Sequence, residues 1–269
     1  MKILQLRNIL LSCALGGFIS LLATPLSYAS DEAVYKEAKS LIKKGLASDV
    51  GFEIVESLTT EIGPRLAGSE AEARARSWGE GKFRELGFSN IRTEPFLVKH
   101  WERRFEQAQI ISPYPQNLVI TALGGSISTP PDGVTGEVVS FPTLQDLKDA
   151  PVKGLEGKIV FVDEYMTRTQ GGSGYGIAVR KRSGAANEAG KRGAIAALIR
   201  SVGTDHHRFA HTGQMTYEDD VIKVPVAALS APDADQLQRA LLKGTIQVNV
   251  VLDVISQGEA ISGNVIAEI

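Results

Sequence analysis

Apolar residues recur at helical spacing in the first part of the chain after residue 30. Residues 34–46 place them on one face, with lysine and serine side chains outside it, which predicts an amphipathic helix. A second, shorter helix is predicted over residues 55–62, where Gly63 and Pro64 stop it. The chain therefore begins with helices rather than strands.

A third helix carries a clear start signal. Ser69 is a good N-cap residue, and Glu72 is spaced so that its side chain reaches back to the Ser69 amide in a capping box. A loose apolar face follows, and Gly87 ends the helix. From residue 90 to about residue 111 the pattern becomes extended, which predicts strands.

Prolines and glycines between residues 113 and 131 mark a change of domain. Beyond them strands and helices alternate, with strands predicted over residues 136–141, 158–163, 193–199, 223–229 and 247–254. Ser230 is predicted to cap a helix that has Pro232 in its first turn and ends at Gly244. The pattern predicts an α/β (α+β) protein of two parts.

The last six residues, 264–269, form an apolar run with no turn, cap or polar tail. One interpretation is an edge strand that docks on the N-terminal part of the chain. The other, which the sequence favours, is a strand at which the chain stops in the middle of a domain.

Residues 1–29 have the pattern of a signal peptide. Lys2 and Arg7 precede an apolar run over residues 9–22, and small residues at Ser27 and Ala29 predict cleavage before Ser30. A retained membrane anchor and lipoprotein processing at Cys13 are the alternatives. The run is short for a membrane span, so we expect a secreted or periplasmic protein without a membrane contact after cleavage.

Composition limits the classes of partner. Cys13 is the only cysteine, so a mature chain forms no disulfide and depends on core packing. Without Lys2 and Arg7 the chain has 27 basic against 31 acidic residues, a formal net charge of −4. With no long basic run, nucleic acid is not an expected partner.

Three of the four histidines lie close together in a polar loop between two predicted strands. His206 and His207 follow Asp205, and His207 and His211 are four residues apart, the spacing of two metal ligands on one helix. Glycines on both sides favour a loop instead. A loop-ordering role is the leading interpretation, and a metal site or a substrate or interface contact stays open.

Two further features suggest binding but are assigned to ordinary structure. The glycine-rich run 171–176 is separated from the strand before it, unlike a dinucleotide-binding turn, and is predicted to be a flexible loop. Arg180, Lys181 and Arg182 are predicted to form a solvated helix face. No nucleophile elbow, His-Glu-x-x-His helix or phosphate-binding loop is present.

Several strings together resemble the carboxypeptidase Q-like (plasma glutamate carboxypeptidase) family of secreted two-zinc exopeptidases. They are residues 60–69 (TEIGPRLAGS), 85–88 (ELGF), 154–160 (GLEGKIV), 193–196 (GAIA), 224–227 (VPVA), 211–213 (HTG) with Tyr217, and 262–268 (SGNVIAE). Their order and spacing cover almost all of the chain after residue 29. The resemblance is to the N-terminal portion of that family.

The resemblance implies a division of the chain and a metal. The signal peptide, residues 1–29, is followed by residues 30–114, the N-terminal helices and first strands of an incomplete zinc-exopeptidase domain. Residues 115–254 then resemble a protease-associated α/β domain, and residues 255–269 the start of a truncated peptidase core. The complete family enzyme holds two zinc ions, but its ligands and catalytic glutamate follow the strand at residues 264–269.

No catalytic or metal-binding residue therefore carries over, and we expect no zinc on this chain. His206, His207, His211, Thr212 and Tyr217 are the candidate substrate or interface contacts. Expected partners are short peptides or the absent peptidase core, and a homodimer stays open. A stand-alone periplasmic binding or interaction module is the alternative function.

Overall fold

The structure is a computed structural model that describes residues 31–256 and 258–269. Its helices are α1 (Asp31–Leu46), α2 (Val50–Ser57), α3 (Glu70–Glu85), α4 (Leu144–Asp149), α5 (Gly174–Ala178), α6 (Arg180–Lys191) and α7 (Ala231–Leu241), with a π-helical turn at Leu58–Ile62. Its strands are β1 (Ser89–Lys99), β2 (Glu102–Ser112), β3 (Gln116–Leu118), β4 (Ile120–Ala122), β5 (Val134–Phe141), β6 (Ile159–Val162), β7 (Ala196–Arg200), β8 (Val226–Leu229), β9 (Gln247–Ile255) and β10 (Glu259–Glu268). The elements confirm the predicted α/β (α+β) class.

The predicted signal peptide, residues 1–29, and its cleavage site lie outside the described residues. Among the described residues, the helices are all too short or too polar to span a bilayer. The chain divides into two compact units, one ending at Val55 and the other formed by residues 56–269. The larger unit contains both sheets described below.

Eight strands form the principal sheet, in the order β3-β2-β9-β5-β6-β7-β8-β4. Strands β5 to β8 run parallel to one another in the middle, and antiparallel pairs complete the sheet on both sides. Of the parallel strands, β6, β7 and β8 are fully buried and almost wholly apolar, because both of their faces are covered. This explains why the sequence located them well.

Two buried clusters cover the two faces of this sheet. One packs α7 against residues of β2, β6, β8 and β9, and Leu237 of the helix is fully buried in it. The other packs α4 and α6 against the opposite face, with Leu147, Ala185 and Val160 fully buried. Helices on both faces of a mixed sheet with a parallel centre define a three-layer α/β arrangement.

Strand β10 forms a separate two-stranded antiparallel sheet with β1. Residues 264–268 therefore pair with the N-terminal part of the chain, as the edge-strand interpretation predicts. Helix α3 packs against both strands. Ser69 caps this helix by accepting a hydrogen bond from the Glu72 amide at 3.2 Å.

The capping box differs from the prediction in one contact. The Glu72 carboxylate accepts from the Gly68 amide at 3.4 Å instead of from the Ser69 amide, and it also pairs with Arg76 and the Ser262 hydroxyl. Ser262 lies on β10, so the carboxylate turns toward the sheet that the helix covers.

The principal sheet also includes β2, which lies before the domain boundary expected at residue 115. Strand β2 pairs with β9 over nearly its whole length, and β9 continues to Ile255. The division of the chain at residues 115 and 255 stays a prediction. Any fragment meant to contain the whole sheet must begin before Glu102.

Candidate functional site

Polar and charged residues follow the parallel strands at their carboxyl ends. Asp163 comes directly after β6, Arg200 is the last residue of β7, and Ser230 comes directly after β8. Because these strands are parallel, the three residues lie along one edge of the sheet. Ligands of open α/β sheets usually bind at this edge, so it is the candidate functional site.

Arg200 is the centre of this edge and is only 4% exposed. Its Nε donates to Asp163 Oδ1 at 2.7 Å, and its Nη2 lies 2.8 Å from Asp235 Oδ1. The ring of Tyr165 lies over the guanidinium, with its centroid 3.8 Å from Cζ, and the Tyr165 hydroxyl donates to Asp235 at 3.0 Å. We call Asp163, Tyr165, Arg200, His206 and Asp235 the carboxyl-edge cluster.

Burial raises the pKa of both carboxyl groups, Asp163 and Asp235, whereas the neighbouring Arg200 lowers it. Burial raises the pKa of Asp163, because the loss of solvent outweighs the stabilisation of its carboxylate by Arg200. Burial also opposes ionisation of Asp235, but the contacts with Arg200 and Tyr165 outweigh it and hold the pKa of Asp235 below its usual range. Asp235 is therefore the more acidic of the two.

His206 is the histidine that reaches the cluster. Its Nε2 lies 3.6 Å from Asp235 Oδ2, and its side chain is largely exposed. Protonated His206 would thus form an exposed ion pair with Asp235, the kind of contact that contributes little to stability. The pair places one imidazole at the solvent side of the cluster.

The contacts of the other two histidines lie outside the cluster. His207 is 86% exposed beside Asp205, and the His211 amide donates to the Ser201 hydroxyl at 2.7 Å. All three histidines lie in an irregular loop between β7 and β8, as the glycines around them predict. The alternative in which the imidazoles of His207 and His211 lie on one turn of a helix is therefore wrong.

Within residues 31–256 and 258–269, no three histidine, cysteine, aspartate or glutamate side chains come together in an arrangement that could hold a metal ion. A structural or catalytic zinc needs three or four such ligands in fixed geometry. The described residues therefore do not fit the zinc that the family resemblance implies, and no chemical step at a metal is assigned to them.

Thr212 and Tyr217 use their hydroxyl groups within the fold. Thr212 Oγ1 donates to the Ala122 carbonyl at 3.2 Å. The Tyr217 hydroxyl donates to the Val224 carbonyl at 2.6 Å and accepts from the Ile127 amide at 3.3 Å. Burial raises the pKa of Tyr217, and its hydroxyl holds the loop against the strand that follows it.

The predicted solvated face of Arg180, Lys181 and Arg182 is wrong for two of the three. Lys181 is fully buried and Arg182 is 7% exposed, whereas Arg180 is exposed. Lys181 Nζ donates to the Glu164 carbonyl, and Arg182 Nη1 donates to the Tyr175 hydroxyl at 3.1 Å. A run of cations usually marks a solvated surface, but here acceptors on neighbouring segments draw two of them inside.

The sequence pattern did not reveal the carboxyl-edge cluster. Asp163 and Arg200 are 37 residues apart, and no local spacing connects either with Asp235. The available signal was a charged residue at the end of each of two buried apolar runs. In a parallel sheet such residues meet at one edge.

Curated relatives of this chain are carboxypeptidases. No protein-family model matches it. Carboxypeptidase Q of Xenopus laevis is 35% identical over 240 residues, 87% of this chain and 50% of that protein. Carboxypeptidase Q of Homo sapiens is 31% identical over 242 residues, 90% of this chain and 50% of that protein. The chain spans about half the length of the curated relatives it matches.

Solved structures of peptidases are also similar to this chain. The crystal structure of a peptidase M28 precursor from Shewanella amazonensis matches with a TM-score of 0.83 and 46% identity, over 88% of this chain and 54% of that one. BSAP, a zinc aminopeptidase from Bacillus subtilis, matches with a TM-score of 0.53 and 18% identity, over 80% of this chain and 45% of that one. At that identity the likeness to BSAP shows a shared fold alone.

Proposed function

We propose that this chain, which belongs to the carboxypeptidase Q-like family, forms a supporting and substrate-facing part of an exported zinc exopeptidase that acts on short peptides. Residues 115–254 serve as its protease-associated domain. The residues that hold zinc and carry out hydrolysis are not among those described. Export follows cleavage before Ser30, which N-terminal sequencing of the secreted or periplasmic protein would test.

One observation carries this proposal. The chain aligns over 87% of its length with carboxypeptidase Q of Xenopus laevis, yet the residues described here bring no three metal-binding side chains together. Peptide hydrolysis by this class of enzyme needs a metal-activated water and a general base over the carbonyl group. The match supports a peptidase family, and the role that we propose for this chain lies outside the metal centre.

The exposed histidines at the carboxyl edge remain the proposed contacts with peptide or with the rest of the enzyme. His206 and His207 present their rings to solvent, whereas Thr212 and Tyr217 are held by backbone groups. We therefore narrow the proposed contact from five residues to His206 and His207. The His211 amide anchors the loop on which both lie.

Metal analysis and a dipeptidase assay test the proposal. The purified chain is dialysed, its zinc content is measured, and hydrolysis of a dipeptide is followed with and without added zinc. We expect no stoichiometric zinc and no hydrolysis. Tight zinc that disappears in the His207→Ala, His211→Ala double variant would contradict the proposal, and so would hydrolysis that persists in that variant.

A stand-alone binding module is the second candidate, and one feature favours it. The principal sheet is covered on both faces, while the loop between β7 and β8 presents Phe209 at 74% exposure beside the histidines. An exposed aromatic side chain on an ordered loop is typical of an interaction surface. A stable, monodisperse chain that captures a partner through Phe209, and loses it in Phe209→Ser, would support this function.

A further inference from the structure

The loop that carries the proposed contact has little backbone support. Residues 202–212 lie between β7 and β8, and within the part of the chain that the structure describes none of them forms a backbone–backbone hydrogen bond. A segment without such bonds is mobile unless its side chains are held by the rest of the fold. The conformation of this loop therefore depends on the contacts of its side chains.

Arg208 ties the loop to two other elements. Its Nε lies 3.2 Å and 3.1 Å from the two carboxylate oxygens of Asp233, and its Nη2 donates to Asp233 Oδ1 at 2.9 Å. The same Nη2 donates to the Asn117 carbonyl of β3 at 3.2 Å. A planar guanidinium that grips both oxygens of a carboxylate forms a strong contact of fixed orientation.

The carboxylate that Arg208 grips belongs to the rigid part of the fold. Asp233 lies in the first turn of α7 and is 3% exposed, whereas the side chain of Arg208 is 58% exposed. The Ser230 hydroxyl that caps this helix also donates to the Asp233 carboxylate. A buried carboxylate is strongly destabilising unless it is paired, so the fold favours the state in which Arg208 is bound.

The residues on either side of Arg208 face away from this anchor. His207 precedes it with a side chain that is 86% exposed, and Phe209 follows it at 74% exposure. Ala210 is only 2% exposed, so the chain returns to the protein directly after Phe209. One imidazole and one phenyl ring are thus presented together on a short anchored segment.

We propose that Arg208 is the positioning residue of the proposed contact: by gripping Asp233, it holds His207 and Phe209 in one orientation as a single outward surface. A surface that is already ordered loses less conformational entropy when a partner binds. Arg208 acts through the loop and needs no contact with the partner itself. This inference rests on the proposed function, to which it adds Phe209 and the residue that fixes the loop.

Backbone ¹⁵N relaxation of the purified chain tests the anchor. We expect order parameters of about 0.8 for the amides of residues 206–209 in the wild type, and below about 0.6 in Arg208→Ala. Arg239→Ala is the matched control, because Arg239 is an exposed arginine that contacts Gln236 on its own helix. Its loop order parameters should stay within about 0.1 of the wild type.

A double variant separates positioning from the neutralisation of a buried charge. Arg208→Ala alone leaves the Asp233 carboxylate unpaired, so it should also lower the urea midpoint of unfolding. Adding Asp233→Asn removes that charge and keeps an acceptor for the Ser230 hydroxyl, so the midpoint should recover. The loop order parameters should stay below about 0.6, because the anchor is still missing. Their return to the wild-type value would show that Arg208 is only a counter-charge, and would overturn the proposal.

The wild-type measurement decides the question even where Arg208→Ala does not fold. Order parameters below about 0.6 in the wild-type loop would overturn the proposal, because nothing would then be held in one orientation. These measurements involve neither zinc nor hydrolysis. A mobile loop would therefore refute the anchor without refuting the proposed peptidase role.

Discussion

At the scale of single residues, Lys181 shows how burial shifts the protonation equilibrium of a cation. It is fully buried, and its Nζ donates to the Glu164 carbonyl. Burial lowers the pKa of Lys181 from 10.5 to about 8, because desolvation outweighs the attraction of nearby carboxylates. Between those two values the unfolded chain holds a proton that the folded chain has released. Stability therefore rises with pH across this window, and the full cost of about 3 kcal/mol is present below pH 8.

We predict that Lys181→Met removes this pH dependence. In wild type, the free energy of unfolding should contain a rising component between pH 8 and pH 9.5 that the variant lacks. Urea denaturation of both proteins across that range measures the difference. Lys148→Met, an exposed lysine on α4, is the control and should leave the rise intact. Equal slopes in wild type and Lys181→Met would contradict the assignment.

At the scale of elements, sequence patterns predicted the elements better than the contacts between them. The strand over residues 158–163 and the helix after Ser230 were predicted close to their observed positions, because a buried apolar run and a capped helix are local signals. The Asp163–Arg200 ion pair was not predicted, because its two residues lie at the ends of different strands. The charge run at residues 180–182 was misassigned for the same reason, since acceptors on other segments decide its burial.

The cap of α7 gives a prediction at this scale. Ser230 is fully buried, and its hydroxyl accepts from the Asp233 amide at 3.2 Å. We expect Ser230→Ala to lower the free energy of unfolding by about 1–2 kcal/mol, because a helix amide loses its acceptor inside the protein. Urea denaturation measures it.

Ser173→Ala is the matched control for that change. Ser173 precedes α5 without a capping hydrogen bond, so its loss should change the free energy of unfolding by less than about 0.5 kcal/mol. Equal effects of the two substitutions would show that the cap of α7 contributes nothing specific.

The principal sheet gives a second prediction at the element scale. Residues 100–256 contain all eight strands and both covering helix layers, so this fragment should fold alone and melt cooperatively. Val160→Asp should abolish the transition, since an unpaired carboxylate in a fully buried strand costs several kcal/mol. Val152→Asp, at an exposed position, should leave the melt nearly unchanged. Circular dichroism on heating compares the three, and a cooperative melt of Val160→Asp would contradict the assigned core.

At the scale of the whole molecule, a folded unit and a chemical activity are separate properties of this chain. Residues 56–269 form one compact unit that contains both sheets. The chain matches about half the length of carboxypeptidase Q relatives, and its described residues bring no metal-binding group together. We propose that this unit supports a zinc centre whose ligands lie outside the described residues.

A chimera tests that claim most directly. The chain is joined to the part of the Shewanella amazonensis M28 relative that it does not cover, in the relative's own order, since the two are 46% identical where they match. Dipeptide hydrolysis by the chimera, by the chain alone and by the added part alone is then measured with zinc and with a chelator. The account predicts zinc-dependent hydrolysis by the chimera and none by either part. Hydrolysis by the chain alone, or a folded, zinc-loaded chimera without activity, would contradict it.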